Sequence, residues 1–152
     1  MTPQQADFWR RFQDATGDTS DKPFDIDQFG DSEAMGDELL ELVLAGTKQA
    51  TCALARWYEG REHRPPKVGD LSIITDGRGK PRCVIRTTSV EIKPITQADA
   101  QFAWDEGEGD RSFEWWLREH IKFWQREAER EGFVFSTDMD AVFERFELVW
   151  AP

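Results

Sequence analysis

The sequence predicts a single α+β domain, a small β-barrel or strongly curled sheet flanked by helices, with an extra helix at the N-terminus. Three observations carry this. Short β-like runs separated by Gly and Pro turns fill residues 51–93, and amphipathic helical stretches stand before and after them. A chain of 152 residues, 39% apolar and 32% charged, is long enough for one real core and ordinary for a globular protein. No run of about 18 apolar residues occurs, and Met1 to Arg10 has no basic-then-apolar leader pattern. Neither a membrane span nor secretion is therefore expected, and the cytoplasm is the expected compartment.

The elements follow in order. Thr2-Pro3-Gln4-Gln5 reads as a helix start, with Thr2 as cap, Pro3 at the first helical position and Gln5 three beyond the cap. Phe8, Trp9 and Phe12 give that helix one apolar face. Gly17 to Gly30 is polar and acidic and reads as a surface connection, so residues 1–28 form an N-terminal helix with its connector and residues 29–152 the main domain. Ser32 caps a second helix, whose Met35, Leu39, Leu42 and Val43 recur at the helical period before a stop at Gly46.

Strands are expected over Thr51–Arg56, Val68–Thr75 and Arg82–Lys93, the last two joined by the turn Asp76 to Pro81. Thr96, with Asp99 three residues later, starts a short helix through Phe102 and Ala103. It runs into Asp105-Glu106-Gly107-Glu108-Gly109-Asp110, four carboxylates interleaved with two glycines. Ser112 caps a long helix with Phe113, Trp116, Leu117, His120, Ile121, Trp124 and Ala128 on one face, and Gly132 ends it. Phe133–Phe135 and Val142–Trp150 read as closing strands.

A formal charge of -11 argues against tight, sequence-independent binding of a long polyanion. The charge is uneven, however: residues 46–94 hold ten basic and five acidic side chains, while the flanking segments are acidic. A local basic face there would suit a nucleotide or short RNA; acidic helices packed on an ordinary sheet is the plainer account. Cys52 and Cys83 are isolated in strand-like runs and read as small buried hydrophobes. His63 and His120 lack a ligand cluster, so no metal or cofactor is expected, and they read as a loop and a core-facing residue. Trp116 and Trp124 belong to the core, and Trp115 and Phe123 to a second helix face. Trp57 and Tyr58, just after the first strand, are candidates for stacking on a bound base.

The helix-to-strand junction Gly46-Thr47-Lys48-Gln49-Ala50-Thr51 places an amine and a hydroxyl close together. On a continuous strand residues three apart point to opposite faces, so Lys48 and Thr51 converge only if the junction is a turn. With its pKa lowered from about 10.4 by burial, a neutral Lys48 would accept the Thr51 proton and make the hydroxyl a nucleophile toward an acyl carbon, with a carboxylate as relay.

The junction, followed by Val68-Gly69-Asp70, by Asp76 to Pro81 and by Glu106-Gly107-Glu108-Gly109-Asp110-Arg111-Ser112, resembles the ASCH domain family over about Phe29 to Trp150. The resemblance implies a PUA-like fold and RNA-related roles, and the length of the chain points to a longer bacterial branch. A short bacterial branch of that family hydrolyses the acetyl amide of N4-acetylcytidine with a lysine, a threonine and a glutamate, which match Lys48, Thr51 and, best, Glu106. Glu108 and Asp110 occupy the same loop. The expected function is recognition of a modified nucleoside or short RNA, with amidohydrolase chemistry by Lys48, Thr51 and Glu106. Gly46, Trp57, Tyr58, Glu108, Asp110, Arg111 and Ser112 are the expected substrate-binding residues. The alternatives are a non-catalytic RNA-binding module and a metal-dependent ribonuclease.

Overall fold

The computed structural model describes residues 1–152. Its first helix, α1 (Pro3–Thr16), starts as expected: the Thr2 hydroxyl accepts from the Gln5 amide at 3.1 Å, and the Gln5 side chain accepts from the Thr2 amide at 2.9 Å. Phe8, Trp9 and Phe12 pack on Leu71, Ile73 and Val84, and the Phe8 ring meets Trp150 at 5.1 Å. The added helix is thus covered by the sheet and shares its core.

Five strands, β1 (Asp25–Asp27), β2 (Ala50–Leu54), β3 (Leu71–Thr75), β4 (Pro81–Pro94) and β5 (Asp140–Trp150), form one mixed sheet in the order β1-β3-β4-β5-β2. The edges β1 and β2 do not pair, so the expected barrel closes only halfway. Register shifts at Val84/Ile85 and Thr87/Ser89 bend the long β4·β5 ladder and curl the sheet.

Strand β1 lies inside the stretch read as a connecting loop. Three residues, two of them Asp, show no strand period; parallel pairing of Ile26 with Ile73 of the fully buried β3 supplies the order. The expected strand over Phe133–Phe135 is absent, because these rings pack sideways: Phe133 lies 3.6 Å under the Arg56 guanidinium and Phe135 meets Trp124 at 5.9 Å. Strand β2 also stops early, and Ala55–Tyr58 form a 3-10 turn.

Three more helices flank the sheet: α2 (Glu33–Leu44), α3 (Ala100–Glu106) and α4 (Phe113–Glu131). Ser32 and Ser112 cap α2 and α4 as expected, each accepting an amide at 3.1 Å. Helix α3 starts at Asp99, whose carboxylate accepts from the Phe102 amide at 2.8 Å, rather than at Thr96. One core cluster joins α3 and α4 to β2 and β5 through Phe102, Trp116, Trp124 and Phe143; another joins α2 to β3 and β4 through Leu40, Val43, Ile74 and Ile85. None of the helices is long and apolar enough to cross a membrane.

Of the ten basic side chains in residues 46–94, all but Lys67 and Lys80 lie within 4 Å of a carboxylate. The plainer account of the charge pattern therefore holds: acidic side chains, many from other segments, neutralise this part of the chain.

Candidate active site

The turn after α2 aims Lys48 inward. Gly46 takes φ 79°, and the amides of Thr47 and Lys48 both donate to the Leu42 carbonyl at 3.0 Å, which closes the helix and reverses the chain. The Gln49 amide then donates to the Asp105 carbonyl at 2.7 Å, tying the turn to the end of α3. Lys48 is 2% exposed, and its Nζ donates to the Ala50 carbonyl at 2.8 Å, Glu106 Oε1 at 2.9 Å and Glu108 Oε2 at 2.8 Å.

An ammonium has three donors and no acceptor, and here all three are taken. Lys48 is therefore a cation, not the neutral amine expected from burial. Burial pushes its pKa down, but Glu106 and Glu108 overrule that and hold it above the ordinary lysine value.

The alternating Glu and Gly of the acidic loop explain how two carboxylates reach one amine. At Gly107 (φ 72°) a Cβ would stand 2.3 Å from the Thr47 carbonyl oxygen, and at Gly109 (φ 58°) one would stand 2.2 Å from the Trp115 indole. Only glycine lets the loop press on both neighbours, so Glu106 and Glu108 converge from either side of Gly107. Gly107→Ala is expected to destabilise the fold by more than the roughly 1–3 kcal/mol of a left-handed non-Gly residue. Gly46→Ala is the control, since it shares the sign of φ but has open space around a Cβ. Urea unfolding of both variants measures the difference, and equal losses would dismiss the close approach as unimportant.

Glu106 is 1% exposed. Besides Lys48 at Oε1, its Oε2 accepts from Trp116 Nε1 at 2.5 Å and lies 3.0 Å from His120 Nε2. Burial favours its neutral form, but Lys48 and then His120 hold its pKa well below the usual carboxylate range. Glu108 shifts the other way, raised by burial and by the neighbouring Glu106 against the pull of Lys48. The two carboxylates, separated only by Gly107, are thus driven apart in proton affinity, the pattern that assigns acid and base roles.

Lys48, Thr51, Glu106 and Glu108 line one cavity of about 230 Å³, whose other walls include Phe29, Trp115 and Phe123. That is below the usual range of about 300–1,000 Å³ for drug-sized ligands, so it suits one planar group. The remaining expected binding residues lie outside it. Gly46 shapes the turn. Trp57 and Tyr58 pack edge to face at 5.1 Å and lean on His63, carried away by the 3-10 turn after β2. Asp110 accepts from the Ser112 amide at 2.8 Å, and Ser112 is the α4 cap. Arg111 donates to the Trp104 carbonyl and lies 3.8 Å over the Trp104 ring. After Gly109 the loop is spent on starting α4.

Sequence reasoning missed Glu119, read His120 only as a core-facing residue, and placed Trp115 and Phe123 on a second helix face without a role in the site. Residues 115, 119, 123 and 126 form one stripe of α4 that faces the cavity, at the helical spacing already visible in the aromatics. Glu106, Glu108 and His120 each bring a ligand atom within 4.8 Å of the others, a density that suits a metal ion. The donor set does not fit one, because Lys48, Trp116 and His120 already occupy Glu106, and Lys48 fills the space between the carboxylates.

Residues 25–150 match the family model described as ASCH domain. The fold is similar to that of an ASCH domain from Lactobacillus crispatus JV V101, at 33% identity and TM-score 0.87, covering 97% of this chain and 95% of that one. Protein EF3133 from Enterococcus faecalis V583 is similar at 37% identity and TM-score 0.86, covering 98% and 94%. The hypothetical protein PH0355 shares the fold alone, at 17% identity and TM-score 0.52, covering 82% and 96%. Among curated proteins none matches significantly. With its helix-flanked half-barrel and the matched span of residues 25–150, the chain belongs to the ASCH domain family.

Proposed function

We propose that the cavity takes the base of a single modified nucleoside, with the ribose at its mouth, and hydrolyses an amide on that base, with N4-acetylcytidine as the representative substrate. The observation that supports this most is the meeting of Lys48, Thr51, Glu106 and Glu108 on the walls of a cavity that also presents the rings of Phe29, Trp115 and Phe123. Aromatic walls accept a base by stacking without demanding phosphate contacts. Glu38 and Glu119 also line the cavity, and Arg126 there is held by Asp31 at 3.0 Å, which disfavours a polyanion.

In this reading Glu108 is the proton carrier and Lys48 the fixed cation. The Thr51 oxygen attacks the acyl carbon while its proton passes to the Glu108 carboxylate. Once protonated, Glu108 loosens its hold on one Lys48 N–H, which then turns to the developing oxyanion. The C–N bond breaks as Glu108 returns the proton to the leaving amine. Water then attacks the Thr51 ester with Glu108 taking its proton, and the C–O bond breaks as Glu108 passes that proton to the Thr51 oxygen, which restores both groups.

Purified protein is therefore expected to release acetate from N4-acetylcytidine without added metal. Its rate should rise with pH as Glu108 ionises, with a midpoint above the ordinary glutamate value of 4.5. Because Lys48 must stay charged and its pKa is raised, the rate should not fall until pH exceeds about 10.5. Glu108→Gln should remove the rising limb together with most of the activity. Binding of the nucleoside with no acetate release would replace the hydrolase with a recognition module, and metal-dependent loss of intact RNA would replace it with a ribonuclease.

A further inference from the structure

We propose that His120 is a positioning residue of this site, an imidazolium that pins Glu106 as a permanent anion and so leaves Glu108 as the one carboxylate free to exchange a proton. The inference rests on the proposed hydrolysis for its purpose, but its geometry stands apart from it.

His120 Nδ1 lies 2.8 Å from the Trp116 carbonyl oxygen. A carbonyl only accepts, so Nδ1 carries a proton. Nε2 lies 3.0 Å from Glu106 Oε2, an oxygen that also accepts from Trp116 Nε1. A bare Nε2 would face that oxygen lone pair to lone pair unless Glu106 gave up its charge, and the Lys48 ammonium on Oε1 opposes this. With both nitrogens protonated every group finds its partner. The ring also lies flat on Trp116, with centroids 4.3 Å apart at 20°, and meets Trp124 edge to face at 5.3 Å. An aromatic face attracts a cation, so the stacking favours the same charge state.

The titratable groups that share the cavity with His120 come from every element around it: Glu106 from the end of α3 and Glu108 from the loop after it, Lys48 from the turn, Cys52 from β2, Glu38 from α2, and Glu119 and Arg126 from its own helix. Burial alone would lower the imidazole pKa, whereas Glu106 first, and then Glu108, raise it. With two cations and two carboxylates the quartet is neutral when Glu108 is ionised, and removing His120 would leave one negative charge in excess. The Glu106–Glu108 pair would then hold its proton to higher pH.

The first test needs neither a variant nor an activity. The chain has two histidines, so side-chain ¹⁵N spectra resolve His120 from His63. Both His120 nitrogens are expected to stay protonated from about pH 5.5 to 8, across the ordinary histidine range. A neutral tautomer at pH 7.5 would overturn the proposal. The second test follows the Glu108 side-chain carboxyl by ¹³C titration in wild type, His120→Gln and His120→Phe. Its midpoint should move up by about one pH unit or more in both variants.

An unmoved midpoint in a folded variant would make His120 a packing residue and overturn the positioning role. If neither variant folds, the wild-type ¹⁵N result still decides. Should the wild-type protein bind nucleoside without releasing acetate, the proposed hydrolysis fails while both spectra still test the assignment of charge.

Discussion

Lys48→Met is expected to cost about 3–5 kcal/mol of folding stability, the range for removing one partner of a buried ion pair. The substitution keeps an aliphatic stem of similar length, so the loss would come from charge rather than from a cavity. Without the ammonium, Glu106 and Glu108 face each other in a site where Glu106 is 1% exposed, and the Ala50 carbonyl loses its donor. The pH dependence has a definite sign. Glu106 has a lowered pKa, so its share of the stability is present above the unfolded value of 4.5 and is lost as pH falls below it. Lys48 has a raised pKa, so its share is present below 10.5 and is lost as pH rises toward the folded value. The gap between wild type and Lys48→Met should be widest between those limits. Adding Glu106→Gln to Lys48→Met should recover part of the loss, since one buried charge then disappears. Urea unfolding of the four proteins closes the cycle; a loss under about 0.5 kcal/mol for Lys48→Met would mean that the pair contributes nothing net.

The parts of this molecule legible in its sequence are those decided within a few residues. Caps at Thr2, Ser32 and Ser112, the stop at Gly46 and the core stripe Trp116–Trp124 all follow from local chemistry, and all stand where the residues put them. The convergence of Lys48 and Thr51 was legible as a condition, because only a turn satisfies a spacing of three. What the sequence concealed was decided by distant partners. Strand β1 exists because β3 offers it a register, not because Asp-Ile-Asp favours extension. The basic side chains of residues 46–94 look like a binding face until acidic residues such as Glu33, Glu131 and Glu147 close on them.

Even the charge of Lys48 was reversed by a long-range contact. Burial read alone lowers a lysine pKa, and two glutamates about sixty positions away raise it. His120 was read as a core-facing residue from the helical period, but it stands half-buried on the cavity wall; its role comes from Glu106, fourteen positions earlier and on another helix.

Thr51→Val should separate chemistry from binding. Valine keeps the β-branched shape that suits β2 and fills the same space, so the fold, the cavity and nucleoside affinity should change little. The hydroxyl alone is lost. If Thr51 is the nucleophile, kcat for acetate release should fall by about 10³-fold or more, while the Kd measured by calorimetry stays within about threefold. Pairing the variant with Lys48→Met sharpens the reading, since residues of one catalytic unit are not additive, and the double variant should be hardly slower than the worse single one. A recognition module gives the opposite pattern, with Lys48→Met disturbing the cavity and weakening binding while Thr51→Val is silent. Acetate release by Thr51→Val at the wild-type rate would remove the threonine from the mechanism and leave a water, activated by Glu108, as the attacking group.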